Sequence, residues 1–174
     1  AQEGVSNAFV VPTMLSRIIA AIDGGGAAPA PGLRAIAYGG GKMPLDVIRR
    51  ALDLFPDASF TNAYGLTETS STIALLGPEE HRAAHASDDP AIRARLSSVG
   101  QPLPTVEIEI RDDDGRVLGP GEAGEIYVRG DQVSGEYREK SALTAGGWFP
   151  TRDAGYIDAD GYLFLSGRAD DVIV

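Results

Sequence analysis

The spacing of apolar positions changes partway along the chain. Residues 8–11 (Ala8, Phe9, Val10, Val11) form a short apolar run ended by Pro12, the pattern of a buried strand. Met14, Leu15, Ile18, Ile19 and Ile22 then recur at helical spacing, with Pro12 and Thr13 suited to a helix start. Asp23 and three glycines stop that helix, and residues 27–32 form a Pro/Ala/Gly connector. Residues 33–38 read as the next strand, broken by Gly39, Gly40 and Gly41. Pro44 opens a second helix with Leu45, Ile48, Leu52 and Phe55 along one face. Residues 58–61 and 72–76 read as further strands, and 81–95 as a polar helical connector. Alternating strand and helix predicts an α/β layered subdomain, part of a doubly wound sheet, with sites outside the carboxyl ends of the strands.

Beyond residues 97–104 the period becomes two. Val106, Ile108 and Ile110 alternate with Glu107 and Glu109, as on a half-buried strand. Turns at 112–115 and 119–121 precede the segment 125–129, with Ile126, Tyr127 and Val128 between Glu125 and Arg129. Asp158, Ala159, Asp160 and Gly161 join 155–157 to 162–165 as a hairpin. Short strands between turns predict a small antiparallel β-barrel or sandwich. The expected division is residues 1–98 as α/β subdomain and 99–174 as β-rich subdomain, with no internal repeat.

Composition narrows the function classes. A chain of 174 residues with 43% apolar and 23% charged residues is long enough for one ordinary core, burying roughly 70% of its unfolded surface. It has no cysteine, which excludes disulfides and thiolate metal sites. No apolar run approaches the roughly 20 residues of a membrane span, and no basic leader precedes residue 11, so the expected compartment is the cytoplasm. The net charge is −10, with 10 acidic against 8 basic side chains in residues 1–100 and 15 against 7 beyond. An acidic half without a basic stripe argues against nucleic acid and anionic membranes as partners.

Candidate chemistry clusters at strand ends. In Tyr64-Gly65-Leu66-Thr67-Glu68 the glycine lets backbone approach a ligand closely. Thr67 offers a hydroxyl to a phosphate oxygen, Glu68 is a hard ligand suited to magnesium, and Tyr64 could stack on a purine. The plainer reading of this block is a strand-to-loop turn with an exposed acid. Gly39, Gly40 and Gly41 expose backbone that can lie flat against a base, although most glycine runs are turns; Lys42 reads as a surface side chain. Asp153 could accept both hydroxyls of a ribose, each such charged hydrogen bond contributing roughly 1.5–3 kcal/mol. Asp170 and Asp171 would otherwise cap a helix or turn. His81 and His85 lie four apart and read as a solvated helix face without a third metal ligand. Asp158-x-Asp160-Gly161 opens like a calcium loop, but Tyr162, Leu163 and Phe164 follow, so a hairpin turn is the reading. There is no Gly-x-Ser-x-Gly nucleophile motif.

Three blocks in this order, residues 62–69, 148–153 and 166–171, resemble the adenylate-forming superfamily of acyl- and aryl-CoA synthetases, luciferases and peptide synthetase adenylation domains. Gly-Leu-Thr-Glu at 65–68 and the stretch 98–104 look most like acyl-CoA synthetases, nearest to fatty-acyl-CoA ligases. The resemblance implies an AMP-forming acid–CoA ligase using ATP, Mg2+ and CoA: a carboxylic acid becomes an acyl-adenylate, and the CoA thiolate displaces AMP. It implies that Gly39, Gly40 and Gly41 with Asn62, Ala63, Tyr64 and Gly65 line the nucleotide and acyl pockets. Thr67 would touch the α-phosphate, Glu68 would hold magnesium, and Asp153 and Arg168 would take the ribose. Asp170 would be the hinge to a mobile C-terminal domain. Gly41 stands where the family commonly has alanine, and Arg152 where it has glycine. No Ser/Thr/Gly-rich loop with lysine precedes Tyr64, and the only lysines are Lys42 and Lys140. The expectation is a fragment lacking an N-terminal half and a C-terminal domain, inactive alone; a start at Ala1 favours truncation. The alternative is a non-catalytic nucleotide-binding or interaction module of the same fold.

Overall fold

The computed structural model describes residues 4–26, 28–30, 32–134, 136–137, 140–144 and 146–169. In chain order they form β1 (Asn7–Val10), α1 (Pro12–Asp23), β2 (Ala35–Gly39), α2 (Leu45–Leu54), β3 (Ser59–Leu66), β4 (Ser71–Leu76), α3 (Pro78–Ala86) and α4 (Pro90–Ala94). There follow β5 (Gln101–Pro102), β6 (Val106–Arg111), β7 (Gly124–Gly130), β8 (Glu136–Tyr137), β9 (Lys140–Ser141), β10 (Phe149–Ile157) and β11 (Leu163–Arg168). One mixed sheet has the order β1-β2-β3-β4-β5, and a separate antiparallel sheet has the order β11-β10-β7-β6. Two compact units emerge, residues 1–63 with 76–97, and residues 64–75 with 98–174.

The first unit is a parallel α/β layer. β1 pairs with β2 from Asn7↔Ala35 to Val10↔Tyr38, and β2 with β3 from Ala35↔Ser59 to Gly39↔Ala63. Parallel strands need a helical crossover, and α1 and α2 supply it. Pro12 sits in the first turn of α1, where its missing N–H costs nothing. Of the five apolar residues at helical spacing, Leu15 and Ile19 are buried and Ile22 packs partly, while Met14 and Ile18 are 49% and 40% exposed. The apolar arc is therefore wider than the face this unit covers. On α2, Ile48, Ala51 and Leu52 are buried, and Phe55 is buried just past the last turn. These side chains meet Val10, Ile36, Tyr38 and Phe60 in one core, each large apolar group contributing about 1.5–3 kcal/mol on burial. The expected polar connector is helical, as α3 and α4, but it is not all solvated. His81 is 0% exposed, which overturns the reading of its face as solvated, whereas His85 is half-buried beside Asp53.

The second unit is antiparallel. β4 pairs with β5, and β6 runs against β7 from Val106↔Gly130 to Arg111↔Glu125. The alternation read from the sequence is visible, with Val106 and Ile110 buried and Glu107 exposed. Glu107 lies opposite Arg129 in the ladder, and the two form an ion pair at 2.6 Å. Arg129 and Arg111 stack on Trp148 at 4.4 and 4.9 Å, which buries the indole under two guanidiniums. β10 and β11 make the expected hairpin. The Asp158 carboxylate accepts the Asp160 and Tyr162 backbone N–H groups at 3.0 and 2.8 Å, and Gly161 adopts φ +84°. The expected barrel closure is not seen: among the described residues β11 and β6 end an open four-stranded sheet. No helix among the described residues is long and apolar enough to cross a membrane.

Candidate functional site

β3 carries Asn62 through Leu66, so the Tyr64 block is not a loop after the strand, as the sequence suggested, but its continuation. Thr67–Thr69 is one 3-10 turn, and Ser70 and Ser71 follow at φ +52° and +99°. Gly65 is required by packing, because a Cβ there would collide with the Ser71 carbonyl. The buried Thr69 hydroxyl accepts the Leu66 N–H at 2.9 Å and lies 2.9 Å from both the Leu66 and Ser71 carbonyls, one of which takes its proton. Gln132 Nε2 donates to the Thr69 and Thr72 carbonyls at 2.9 and 2.8 Å, and the Ser134 N–H donates to the Glu68 carbonyl at 2.9 Å. The backbone bearing Thr67 and Glu68 is thus pinned from both sides. Thr67 is exposed and Glu68 half-buried.

The carboxylate at 153 stands on a β-bulge. β10 pairs with β7 at Pro150↔Tyr127 and again at Ala154↔Glu125, leaving residues 151–153 out of register. The buried Thr151 hydroxyl locks the bulge, donating to the Ile126 carbonyl at 2.9 Å and accepting the Asp153 N–H at 3.1 Å. Arg152 sits at φ +60° in the left-handed region, and its N–H donates to Glu125 Oε1 at 3.2 Å. On β11, Arg168 lies directly opposite Asp153, and its Nη1 donates to Asp153 Oδ1 at 2.7 Å. Tyr64 donates its hydroxyl proton to Asp153 Oδ2, also at 2.7 Å. Burial raises the Tyr64 phenol well above its ordinary value, and the Asp153 carboxylate raises it further, so the hydroxyl stays protonated and donating. At 8% exposure the ring offers little surface for the purine stacking expected of it. Each Asp153 oxygen accepts one of these bonds and retains capacity for another acceptor interaction.

In the first unit, Gly39, Gly40 and Gly41 leave the end of β2. Gly39 lies opposite Ala63 so closely that a Cβ would strike the Ala63 carbonyl, and Gly40 takes φ +74°. Asn62 is buried opposite Tyr38, and Lys42 is exposed. Tyr38 is itself fully buried, its hydroxyl 2.8 Å from His81 Nε2, while His81 Nδ1 lies 2.8 Å from the Gly77 carbonyl. A carbonyl only accepts, so Nδ1 carries the imidazole proton and Nε2 accepts from Tyr38. Burial lowers the His81 imidazole below its ordinary value and raises the Tyr38 phenol.

Of the residues singled out in the sequence, Tyr64, Asp153 and Arg168 are joined by hydrogen bonds, and Asn62 and Ala63 lie beside Tyr38 and Gly39 in the parallel ladder. Asp170 lies outside the described residues. Thr69, Gln132 and Thr151 hold the site backbone yet were not singled out. Thr69 and Thr151 fall within motif blocks, whereas nothing local distinguishes Gln132.

The chain is 37% identical over 175 residues to a fatty acid–[acyl-carrier-protein] ligase of Streptomyces coeruleorubidus, covering 98% of this chain and 32% of that protein. It is 37% identical to a 2-succinylbenzoate–CoA ligase of Bacillus licheniformis, with coverage of 98% and 33%. Among solved structures, O-succinylbenzoate coenzyme A synthetase from Bacillus subtilis in complex with ATP and magnesium ion superposes with a TM-score of 0.77 at 31% identity, over 99% of this chain and 34% of that one. The chain therefore spans about a third of the length of the curated relatives it matches. Residues 1–138 match the AMP-binding enzyme family, and the chain belongs to it.

Proposed function

We propose that this chain is the nucleotide-handling part of an AMP-forming acid–CoA ligase, which activates a carboxylic acid with ATP and passes the acyl group to CoA. The observation that carries this reading is the convergence of Tyr64, Asp153 and Arg168. Two donors orient one carboxylate while each of its oxygens keeps an acceptor position. A pair of vicinal ribose hydroxyls suits such a group. Arg168 and Tyr64 then act as positioning residues, keeping Asp153 fixed before the sugar arrives and lowering the ordering cost of binding.

Thr67 would donate its hydroxyl to the α-phosphate, where negative charge is carried as the acid attacks. Gly39, Gly40 and Gly41, with Asn62 and Ala63, would line the adenine and acyl group, glycine backbone allowing the closest approach. Glu68 fits a magnesium role: it is one half-buried hard oxygen ligand on a turn fixed by Ser134. Magnesium takes one or two carboxylates together with substrate phosphates, and when bound it would neutralise phosphate charge. The hinge role of Asp170, the division at residues 98/99, a barrel-like second subdomain and a cytoplasmic setting belong to the same proposal. For the acid, a fatty chain and a succinylbenzoate-like aryl acid are both acids of relatives, by name.

Replacing Asp153 tests the reading in the full-length protein carrying this chain. Asp153→Ala removes two hydrogen bonds to ribose and is expected to weaken ATP recognition by about 2–4 kcal/mol. Binding of 2′,3′-dideoxy-ATP, which lacks both hydroxyls, should change far less. Equal losses for the two nucleotides would show that Asp153 supports the fold and not the sugar.

A further inference from the structure

Arg152 occupies a conformation that its side chain disfavours. At φ +60° a residue with a Cβ carries a steric cost that glycine avoids. The surroundings hold it there: Thr151 locks the bulge on one side, Glu125 takes the Arg152 N–H, and register with β7 resumes at Ala154. The bulge itself uses only the residue's backbone. The guanidinium is exposed and makes no ion pair among the described residues. A large cationic side chain thus stands at a position where backbone conformation favours none.

The electrostatic setting gives that cation something to do. Residues 101–174 carry 15 acidic and 7 basic side chains. Arg168 donates to the Asp153 carboxylate, and the Glu125 carboxylate, which takes the Arg152 N–H, puts a second acid beside the bulge. Any ligand bringing a phosphate to Asp153 would meet net negative charge unless an uncommitted cation faced it. Arg152 is the adjacent residue, its Cα about 3.8 Å from that of Asp153, and its guanidinium is exposed.

We propose that Arg152 is a phosphate-contacting residue for the nucleotide whose ribose Asp153 takes, so that the strained bulge sets a ribose acceptor and a phosphate donor on consecutive residues. The inference rests on the Asp153 reading above, and its test separates the two. In the full-length protein, adenosine and AMP are titrated against wild type, Arg152→Gly and Arg152→Lys at low and high salt. The wild type should bind AMP more tightly than adenosine. Arg152→Gly should lose about three- to five-fold in AMP affinity at low salt, the size of an exposed ion pair. Adenosine affinity should stay unchanged. Arg152→Lys should keep most of the AMP preference, and high salt should narrow the gap between wild type and Arg152→Gly.

A thermal melt completes the comparison, with Arg152→Gly expected to melt higher because the left-handed strain is relieved. An unchanged AMP-to-adenosine ratio in Arg152→Gly would overturn the phosphate role. Equal losses for both ligands, or a lower melting temperature, would overturn it in favour of a structural Arg152. Failure of the wild type to bind either ligand would instead sink the Asp153 reading, and this inference with it.

Discussion

At the scale of single residues, two buried hydrogen-bonded groups carry most of what can be tested. Tyr64 gives its proton to a half-buried carboxylate, and a hydrogen bond to a charged group contributes about 1.5–3 kcal/mol. Tyr64→Phe should therefore lower unfolding free energy by about 1.5–2 kcal/mol in urea titration, and a loss below 0.5 kcal/mol would mean Arg168 alone orients Asp153. His81 predicts a pH dependence. Its imidazole is held below the ordinary 6.5, chiefly by burial, with the Gly77 carbonyl and the Glu80 carboxylate opposing the shift; Tyr38 and Phe60 complete its surroundings. Below pH 6.5 the unfolded chain takes up a proton that the folded one refuses. Stability is whole above that pH and declines as pH falls toward the folded value, by at most about 1.4 kcal/mol per unit. Between pH 6.5 and 5.5, wild type should lose stability more steeply than His81→Gln. Parallel slopes would show that burial does not hold His81 neutral.

At the scale of elements, β3 and β10 are the strands that shape the site, and each does so through a departure from regularity. β3 runs into a 3-10 turn, and the backbone of Ser71 and Thr72 that follows it at the start of β4 passes so near that only glycine fits at 65. Gly65→Ala should cost about 2–3 kcal/mol, as overpacking into backbone does. Gly32→Ala, whose Cβ would meet only the Val5 carbonyl at 3.7 Å, should be near neutral. A neutral Gly65→Ala would mean that the turn relaxes and is not pinned by Gln132 and Ser134. The bulge in β10 depends on the Thr151 hydroxyl, which makes two bonds at a buried position. Thr151→Val keeps the shape and removes both, so about 1–3 kcal/mol should be lost, from the desolvated groups left unpaired. If the bulge sets Asp153, the same variant should weaken nucleotide binding beyond what its folding loss explains. Unchanged affinity in a folded Thr151→Val would refute that link.

At the scale of the whole molecule, net charge and the sparse lysines set the limits. The 174-residue chain carries a net charge of −10, has two lysines and no Ser/Thr/Gly-rich loop with lysine. A triphosphate would therefore meet repulsion without a backbone cradle. We expect no acid-dependent exchange of labelled pyrophosphate into ATP by this chain alone, and nucleotide affinity weaker than about 1 mM, which is about 4 kcal/mol of binding. Robust exchange by the isolated chain would overturn that account. The chain spans about a third of the length of the ligases it matches.

The sequence by itself determined the order of elements, because strand and helix differ in the period of their apolar positions and that period is local. It placed α1, α2 and the β10–β11 hairpin to within a few residues, since Pro12, Pro44 and Gly161 act on their own backbone. Motif resemblance also singled out Tyr64, Asp153 and Arg168 without showing how they are connected. Only the tertiary structure decided that Tyr64 points its hydroxyl at Asp153, 89 positions away, and that Arg168 faces Asp153 across a ladder. It alone buried His81 on Tyr38, exposed Met14 and Ile18, and pinned the turn at 67–69 with Gln132. Amphipathic spacing names which side chains share a face of an element, but burial and bonding depend on what packs against that face. Those partners lie tens of residues away, where no local pattern reports them.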